Sequence, residues 1–157
     1  MLFRSVGLLS AQIFGFKNRQ TLKYAHDLGM AFQLTNIIRD VGEDARRGRI
    51  YLPLDELKKA HVSEDDILQS RETDAVKALM EYQIERAETY YDKALRELPR
   101  EDAKQQRTGL MMAAIYRTLL REILQDGAQK VLNARISLGG FRKFCLVYMV
   151  WLKQAWG

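Results

Sequence analysis

Asn36, Asp40 and Asp44 stand four residues apart inside the stretch Gly29–Pro53, GMAFQLTNIIRDVGEDARRGRIYLP. On a helix each step of four turns a side chain by about 40° and lifts it by about 6 Å, so all three share one face. Gln33, three residues before Asn36, and Glu43, three after Asp40, edge the same stripe. An amide oxygen beside two or three carboxylates is an all-oxygen donor set. It suits Mg²⁺ better than zinc, because no thiolate or imidazole is among the donors. Mg²⁺ keeps part of its water shell and bridges carboxylates to substrate phosphates, so the pattern points to a phosphorylated substrate.

A competing account makes Asp40, Glu43 and Asp44 a solvated acidic face paired with Arg39, Arg46 and Arg47. Such helix-surface ion pairs are common and weak. Two features favour a site. Asn36 lies between Thr35 and Ile37 in a mainly apolar stretch, where an amide needs a partner, and carboxylates at i, i+3 and i+4 repel one another without a cation. Arg39, Arg46, Arg47 and Arg49 then surround the acids within eleven residues. Guanidinium forks suit a phosphate in that position.

Helices must position these groups. Apolar residues at helical spacing predict Val6–Phe14, ended by Gly15, and then a helix from about Arg19 to Arg47, with Asn18 as N-cap and Gly48 as the glycine past its end. Leu54–Ala60 reads as a short helix, and Ser63 with Asp66 as the capping-box start of another. Longer helices follow over Thr73–Leu98, ended by Pro99, Glu101–Gln125, ended by Gly127, and Gly140–Trp156. With two prolines and ten glycines in 157 residues there are too few turn signals for a β fold, so the expected class is an all-α helical bundle.

The net charge of +5 is unevenly spread. Residues 1–50 carry 8 Lys/Arg against 4 Asp/Glu, residues 51–100 carry 8 against 12, and residues 101–157 carry 9 against 4. Basic ends around an acidic middle give no continuous phosphate-tracking face in sequence, and no nucleic-acid partner is expected. The longest uncharged apolar run, Phe144–Leu152, is about half of what a transmembrane helix requires, and Ser10 and Gln12 interrupt any signal-peptide core near the start. Lone Cys145 offers no intramolecular disulfide, which fits a reducing, cytoplasmic setting. His26 and His61 are isolated and are expected to be structural or solvated. Phe141–Trp156 mixes Arg142, Lys143 and Lys153 with Phe, Tyr and two Trp, a composition for packing in the bundle or for peripheral contact with a membrane.

QLTNIIRDVGEDARRGRIYLP resembles the second aspartate-rich motif of the squalene and phytoene synthases, the head-to-head trans-isoprenyl diphosphate synthases. VGLLSAQIFGF, GLMMAAIYRTLLREI and ARISLGGFRK are similar to other segments of that family, so the resemblance spans nearly the whole chain. It implies the isoprenoid synthase type of helical bundle. It also implies that Asn36, Asp40 and Asp44, with Glu43 beside them, hold Mg²⁺ against a prenyl diphosphate, and that Asp40, Asp44 and Arg39 are catalytic. Gln33 and Arg39 would meet substrate, and Tyr116, Arg135 and Lys143 match positions at the diphosphate end of the cavity. Read without the resemblance, Tyr116 is equally a core aromatic, and Arg135 and Lys143 are surface charges. Leu28, Phe32, Met111 and Met112 are candidate walls for an apolar cavity that shields an allyl cation from water.

The family carries two aspartate-rich motifs, whereas D-x-x-x-D occurs once in this chain, at Asp40–Asp44. Glu64–Asp66 and Glu101–Asp102 are read instead as charges at helix starts. The resemblance therefore makes residues 1–157 the C-terminal part of a larger synthase domain, inactive alone and completed by an N-terminal half, with Met1–Ser5 foreign to it. The implied reaction joins two farnesyl diphosphates to presqualene diphosphate, because MAAIYRTLLREI and RISL look most like the bacterial presqualene diphosphate synthases. A phytoene-type synthase using geranylgeranyl diphosphate and a non-catalytic helical interaction module are the alternatives.

Overall fold

A computed structural model of the chain describes the backbone of residues 2–155 and the side chains of residues 7–152. The helices are α1 (Leu2–Phe14), α2 (Thr21–Arg46), α3 (Leu54–Lys59), α4 (Glu64–Leu68), α5 (Asp74–Glu97), α6 (Arg107–Asp126) and α7 (Gly140–Ala155). Two 3₁₀ turns, Arg100–Asp102 and Ala128–Leu132, flank α6. No strand occurs among the described residues, and the architecture is all-α as expected. No helix among them is long and apolar enough to cross a membrane. The expectations for the side chains of Lys153 and Trp156 lie outside the described residues, as does Met1, whereas the backbone from Leu2 to Ser5 is part of α1.

Glycine punctuation matches the expected ends. Gly15, Gly48 and Gly127 all have positive φ, at 81°, 68° and 103°, conformations that side chains bearing a Cβ resist. Ser63 and Asp66 form the expected capping box of α4, each side chain accepting from the other's backbone N–H. The Ser63 hydroxyl, and then its backbone N–H, donate to the Asp66 carboxylate and hold it below its usual range.

The chain divides into two compact units. One comprises Met1–Gln33, Ala87–Thr118 and Leu138–Gly157. Its interior gathers Ala11, Tyr24, Ala25, Leu28, Ala31, Tyr91, Ala94 and Ala113. Small residues dominate this core, which lets backbones approach closely: a Cβ on Gly7 would lie 2.7 Å from the Ala25 carbonyl oxygen. Asp27, buried on α2, takes Lys93 Nζ of α5 at 2.9 Å and contacts His26 Nδ1 at 3.0 Å. Burial alone would raise the Asp27 carboxyl. The hydrogen bonds from Lys93 and His26 outweigh it and hold the group below its usual range.

Asp102 corrects the expected organisation of this unit. It does not sit at the start of a helix over Glu101–Gln125 as a charge facing the dipole. It is fully buried in the turn Arg100–Asp102, and its carboxylate accepts from the N–H groups of Lys17 and Asn18, at 2.7 and 3.0 Å, and from the Thr21 hydroxyl at 2.6 Å. α6 consequently begins at Arg107. α2 begins at Thr21, later than expected, so Asn18 is not its N-cap but accepts from the Gln20 N–H in the turn that precedes it.

The second unit comprises Leu34–Arg86 and Leu119–Ser137. In α2 it buries Leu34, Ile38, Val41 and Ala45, a 4-3-4 stripe that packs with Leu57, Ile67, Val76, Met80, Leu120, Ile123 and Leu132 in one apolar core. Glu56 of α3 binds Gln83 Nε2 and, at 2.6 Å, Arg86 Nη1 of α5. The stripe is buried because the opposite face of α2 is polar, and that face carries the acids.

Candidate functional site

In the second unit Asn36, Asp40, Glu43 and Asp44 are half-buried on the α2 face opposite the apolar stripe. The arrangement is arginine-compensated. Arg39 clasps Asp40 with both arms of its fork, Nε to Oδ1 at 2.8 Å and Nη2 to Oδ2 at 2.5 Å. Arg135, in the segment after the second 3₁₀ turn, reaches the same carboxylate at 3.7 Å and Glu43 Oε2 at 3.4 Å. Arg47 takes the other Glu43 oxygen at 2.7 Å, and no ion pair of Asp44 is found among the described residues. Two guanidinium groups thus converge on Asp40 and two on Glu43.

The Asn36 amide oxygen is buried and has no hydrogen-bond partner. An orphaned buried acceptor is destabilising unless something fills the gap. It lies one helical turn from Asp40, so the donor chemistry on this face is oxygen throughout and fits a hard cation such as Mg²⁺. Among the described residues no three His, Cys, Asp or Glu side chains close into a metal cluster. Mg²⁺ does not need one, because it takes one or two carboxylates and completes its shell with water and substrate phosphate.

Gly42 explains how Arg135 reaches this face. A Cβ at residue 42 would fall 2.2 Å from the Leu132 carbonyl oxygen and 2.6 Å from that of Val131, so only glycine lets the 3₁₀ turn Ala128–Leu132 lie against α2. Arg46 donates to that Leu132 oxygen at 3.2 Å, and Asn133 donates to Ser70 O at 3.1 Å and Glu72 Oε1 at 2.7 Å. The segment leading to Arg135 is therefore pinned from both sides. Of the four arginines expected around the acids, Arg46 is bound to a backbone carbonyl and Arg49 is exposed beyond the helix, whereas Arg39 and Arg47 meet carboxylates.

Gln33, Tyr116 and Lys143 belong to the first unit. Gln33 is half-buried and Lys143 is exposed near the start of α7. Tyr116 is half-buried and packs edge-on to Phe32, with ring centres 5.2 Å apart, and Phe32 also meets Tyr91 at 6.0 Å. Phe32 and Leu28 line an apolar cavity in this unit together with Gly7, Phe14, Ala25 and Met112. Met111, also expected as a wall, does not line it.

The sequence reading overlooked Tyr24, which lines the same cavity and whose buried hydroxyl has no hydrogen-bond partner. Burial pushes its ionisation well above the ordinary tyrosine value. Its position four residues before Leu28 and eight before Phe32 was the available signal.

Residues 3–142 match the squalene/phytoene synthase family model. The chain belongs to the squalene/phytoene synthase family. Phytoene synthase 2, chloroplastic, of Solanum lycopersicum is 41% identical over 125 residues, covering 76% of this chain and 40% of the relative. The 15-cis-phytoene synthase of Synechococcus elongatus is 34% identical over 163 residues, covering 95% and 52%. A crystal structure of a dehydrosqualene synthase in complex with ligand superposes with TM-score 0.68 at 28% identity, over 84% of this chain and 47% of that one. Squalene synthase HpnC from Alicyclobacillus acidocaldarius gives 0.66 at 27% identity, over 78% and 46%. The chain thus spans about half the length of such relatives, or less.

Proposed function

We propose that this chain supplies the Mg²⁺- and diphosphate-binding face of a transferase that condenses two prenyl diphosphates head to head. The observation that carries this reading is the α2 face itself: an orphaned buried amide oxygen at Asn36, carboxylates at Asp40, Glu43 and Asp44, and guanidinium groups from Arg39, Arg47 and Arg135 on the acids. Family membership supports it. Asn36, Asp40 and Asp44, with Glu43 beside them, would hold the metal, which when bound neutralises charge on the leaving diphosphate.

The arginines do the work of exchange. Each already rests on a carboxylate, so an arriving diphosphate competes for guanidinium N–H groups that are held in place. Arg39 and Arg135 turn from Asp40 toward phosphate oxygens, and the released carboxylate becomes available to the cation. The C1–O bond of one prenyl group breaks, and its electron pair leaves with diphosphate. The allyl cation left behind is captured by the double bond of the second substrate, and loss of a proton closes the cyclopropane. An apolar wall must keep water from that cation. Gln33, Tyr116 and Lys143 act on the substrate side.

The MAAIYRTLLREI and RISL stretches, with their likeness to presqualene diphosphate synthases, favour two farnesyl diphosphates as substrates. The names of the curated relatives favour a second reading, geranylgeranyl diphosphate and a phytoene-type product. In the protein from the complete reading frame, Asp40→Asn is expected to lower Mg²⁺-dependent diphosphate release by a hundredfold or more, the scale of losing a preorganised electrostatic group. Release that survives the substitution, or survives EDTA, would overturn the reading. Mass spectrometry of the wild-type product separates the two chain lengths.

A further inference from the structure

Arg135 reaches the acids of α2 from a stretch that has no regular structure of its own, since residues 134–139 form neither helix nor strand. Its contacts with Asp40 and Glu43, at 3.7 and 3.4 Å, are ion-pair distances rather than tight hydrogen bonds, and its side chain is 58% exposed. Contacts of this kind are weak and hold a long side chain loosely. The place of the guanidinium group is therefore set by the backbone from which it grows, and by whatever fixes that backbone.

Two residues earlier, the Asn133 amide donates to the Ser70 carbonyl at 3.1 Å and to Glu72 Oε1 at 2.7 Å. A carboxamide has two N–H donors, and both are used on the loop between α4 and α5. That loop is held firmly. The Arg71 N–H donates to the Asp66 carbonyl at 2.8 Å and the Ser70 N–H to the Ile67 carbonyl at 3.0 Å, the paired bonds of a Schellman closure, with Ser70 in the left-handed region at φ 52°. The Arg71 side chain adds Asp66 Oδ1 at 3.2 Å and Gln69 Oε1 at 2.6 Å. Thr73 then accepts from the Val76 N–H at 3.2 Å at the start of α5. Asn133 and Glu72 are both exposed, where a hydrogen bond adds little to stability. What the pair supplies is a fixed point for the chain just before Arg135, on the side away from the Gly42 contact.

We propose that Asn133 and Glu72 are positioning residues for diphosphate: they seat the backbone at the root of Arg135, so that its guanidinium group meets phosphate oxygens without first having to be ordered. Neither residue touches the phosphate. Without either one the irregular stretch is free to move, and diphosphate binding must then supply the cost of ordering it. The inference rests on the reading of the α2 face as a diphosphate site.

Calorimetry of inorganic diphosphate binding in the presence of Mg²⁺, on the protein from the complete reading frame, tests it. Asn133→Ala and Glu72→Ala are each expected to weaken binding about five- to tenfold, the scale of one hydrogen bond. Glu72→Gln, whose amide oxygen still accepts from Asn133, is expected to bind like the parent. In an Arg135→Gln chain, Asn133→Ala is expected to cause no further loss, because a residue that acts through Arg135 has nothing to act on once the guanidinium group is gone. Helical circular dichroism should match the parent throughout, and Glu72→Ala, in an exposed loop, carries the test if Asn133→Ala does not fold. The proposal is overturned by parent-like binding in Asn133→Ala or Glu72→Ala, by a Glu72→Gln chain as weak as Glu72→Ala, or by an equal loss from Asn133→Ala with and without Arg135. If Arg135→Gln itself binds diphosphate like the parent, the assignment of Arg135 to diphosphate falls too, which separates the two failures.

Discussion

Asp102 is a charged residue with no exposure, held by three hydrogen bonds that come from residues more than eighty positions away. Burial works to raise its carboxyl. The Thr21 hydroxyl and the Lys17 and Asn18 N–H groups more than compensate, and the group lies below its ordinary range. Its stabilising effect is therefore complete above the unfolded-state pKa of about 3.9 and is lost as pH falls through the lower folded value. Asp102→Ala is expected to destabilise the chain by about 2 kcal/mol at neutral pH in urea unfolding, since it strands buried donors. Between pH 5 and pH 3, values of roughly one unit either side of that reference, the difference from the parent should shrink. A difference that stays constant across this range would show that the charge is not what matters. Asp102 was misread from sequence because its partners lie at the entry to α2. Arg46 was misread for the same reason, its acceptor being a carbonyl 86 residues on. The Asn36–Asp40–Asp44 face was legible because all its members lie on one helix.

At the scale of elements, three helix ends could be read directly, because a glycine with positive φ stands at Gly15, Gly48 and Gly127 and each leaves a local signature. The start of α6 could not, because a 3₁₀ turn held by a remote contact has no periodicity of its own. Gly42 belongs to the same category. Nothing in the sequence says that a glycine between Asp40 and Glu43 serves the approach of a turn some ninety residues later. Gly42→Ala would place a methyl 2.2 Å from the Leu132 carbonyl oxygen, and relief requires moving backbone. The expected result is a loss of about 2–3 kcal/mol in stability by chemical denaturation. Weaker binding of inorganic diphosphate should accompany it, because the displaced turn leads to Arg135. Unchanged stability would mean that α2 and the turn separate more easily than their packing indicates.

At the scale of the molecule, the acidic face accounts for one aspartate-rich motif, whereas the family resemblance implies two. The 157-residue chain by itself is therefore expected to bind Mg²⁺ with inorganic diphosphate but to give no condensed product from farnesyl or geranylgeranyl diphosphate. Product formation by this chain alone, read by mass spectrometry, would show that the second motif is dispensable. The uneven spread of charge also acquires a reason at this scale. The basic C-terminal stretch supplies Arg135 to the acids of α2.

The pinned turn beside Gly42 has a practical consequence. Leu132 and Asn133 are fixed by Arg46, Ser70 and Glu72, whereas the backbone from Ala134 to Gly139 is irregular and forms no helix or strand. The spacing between Asn133 and Arg135 thus works as a tether of set length, one end anchored and the other carrying a guanidinium group that must span 3.4–3.7 Å to its two carboxylates. Lengthening that tether by a residue would leave the apolar interior untouched while detuning the arginine's reach. It is a place where an engineer could adjust chemistry without renegotiating the fold.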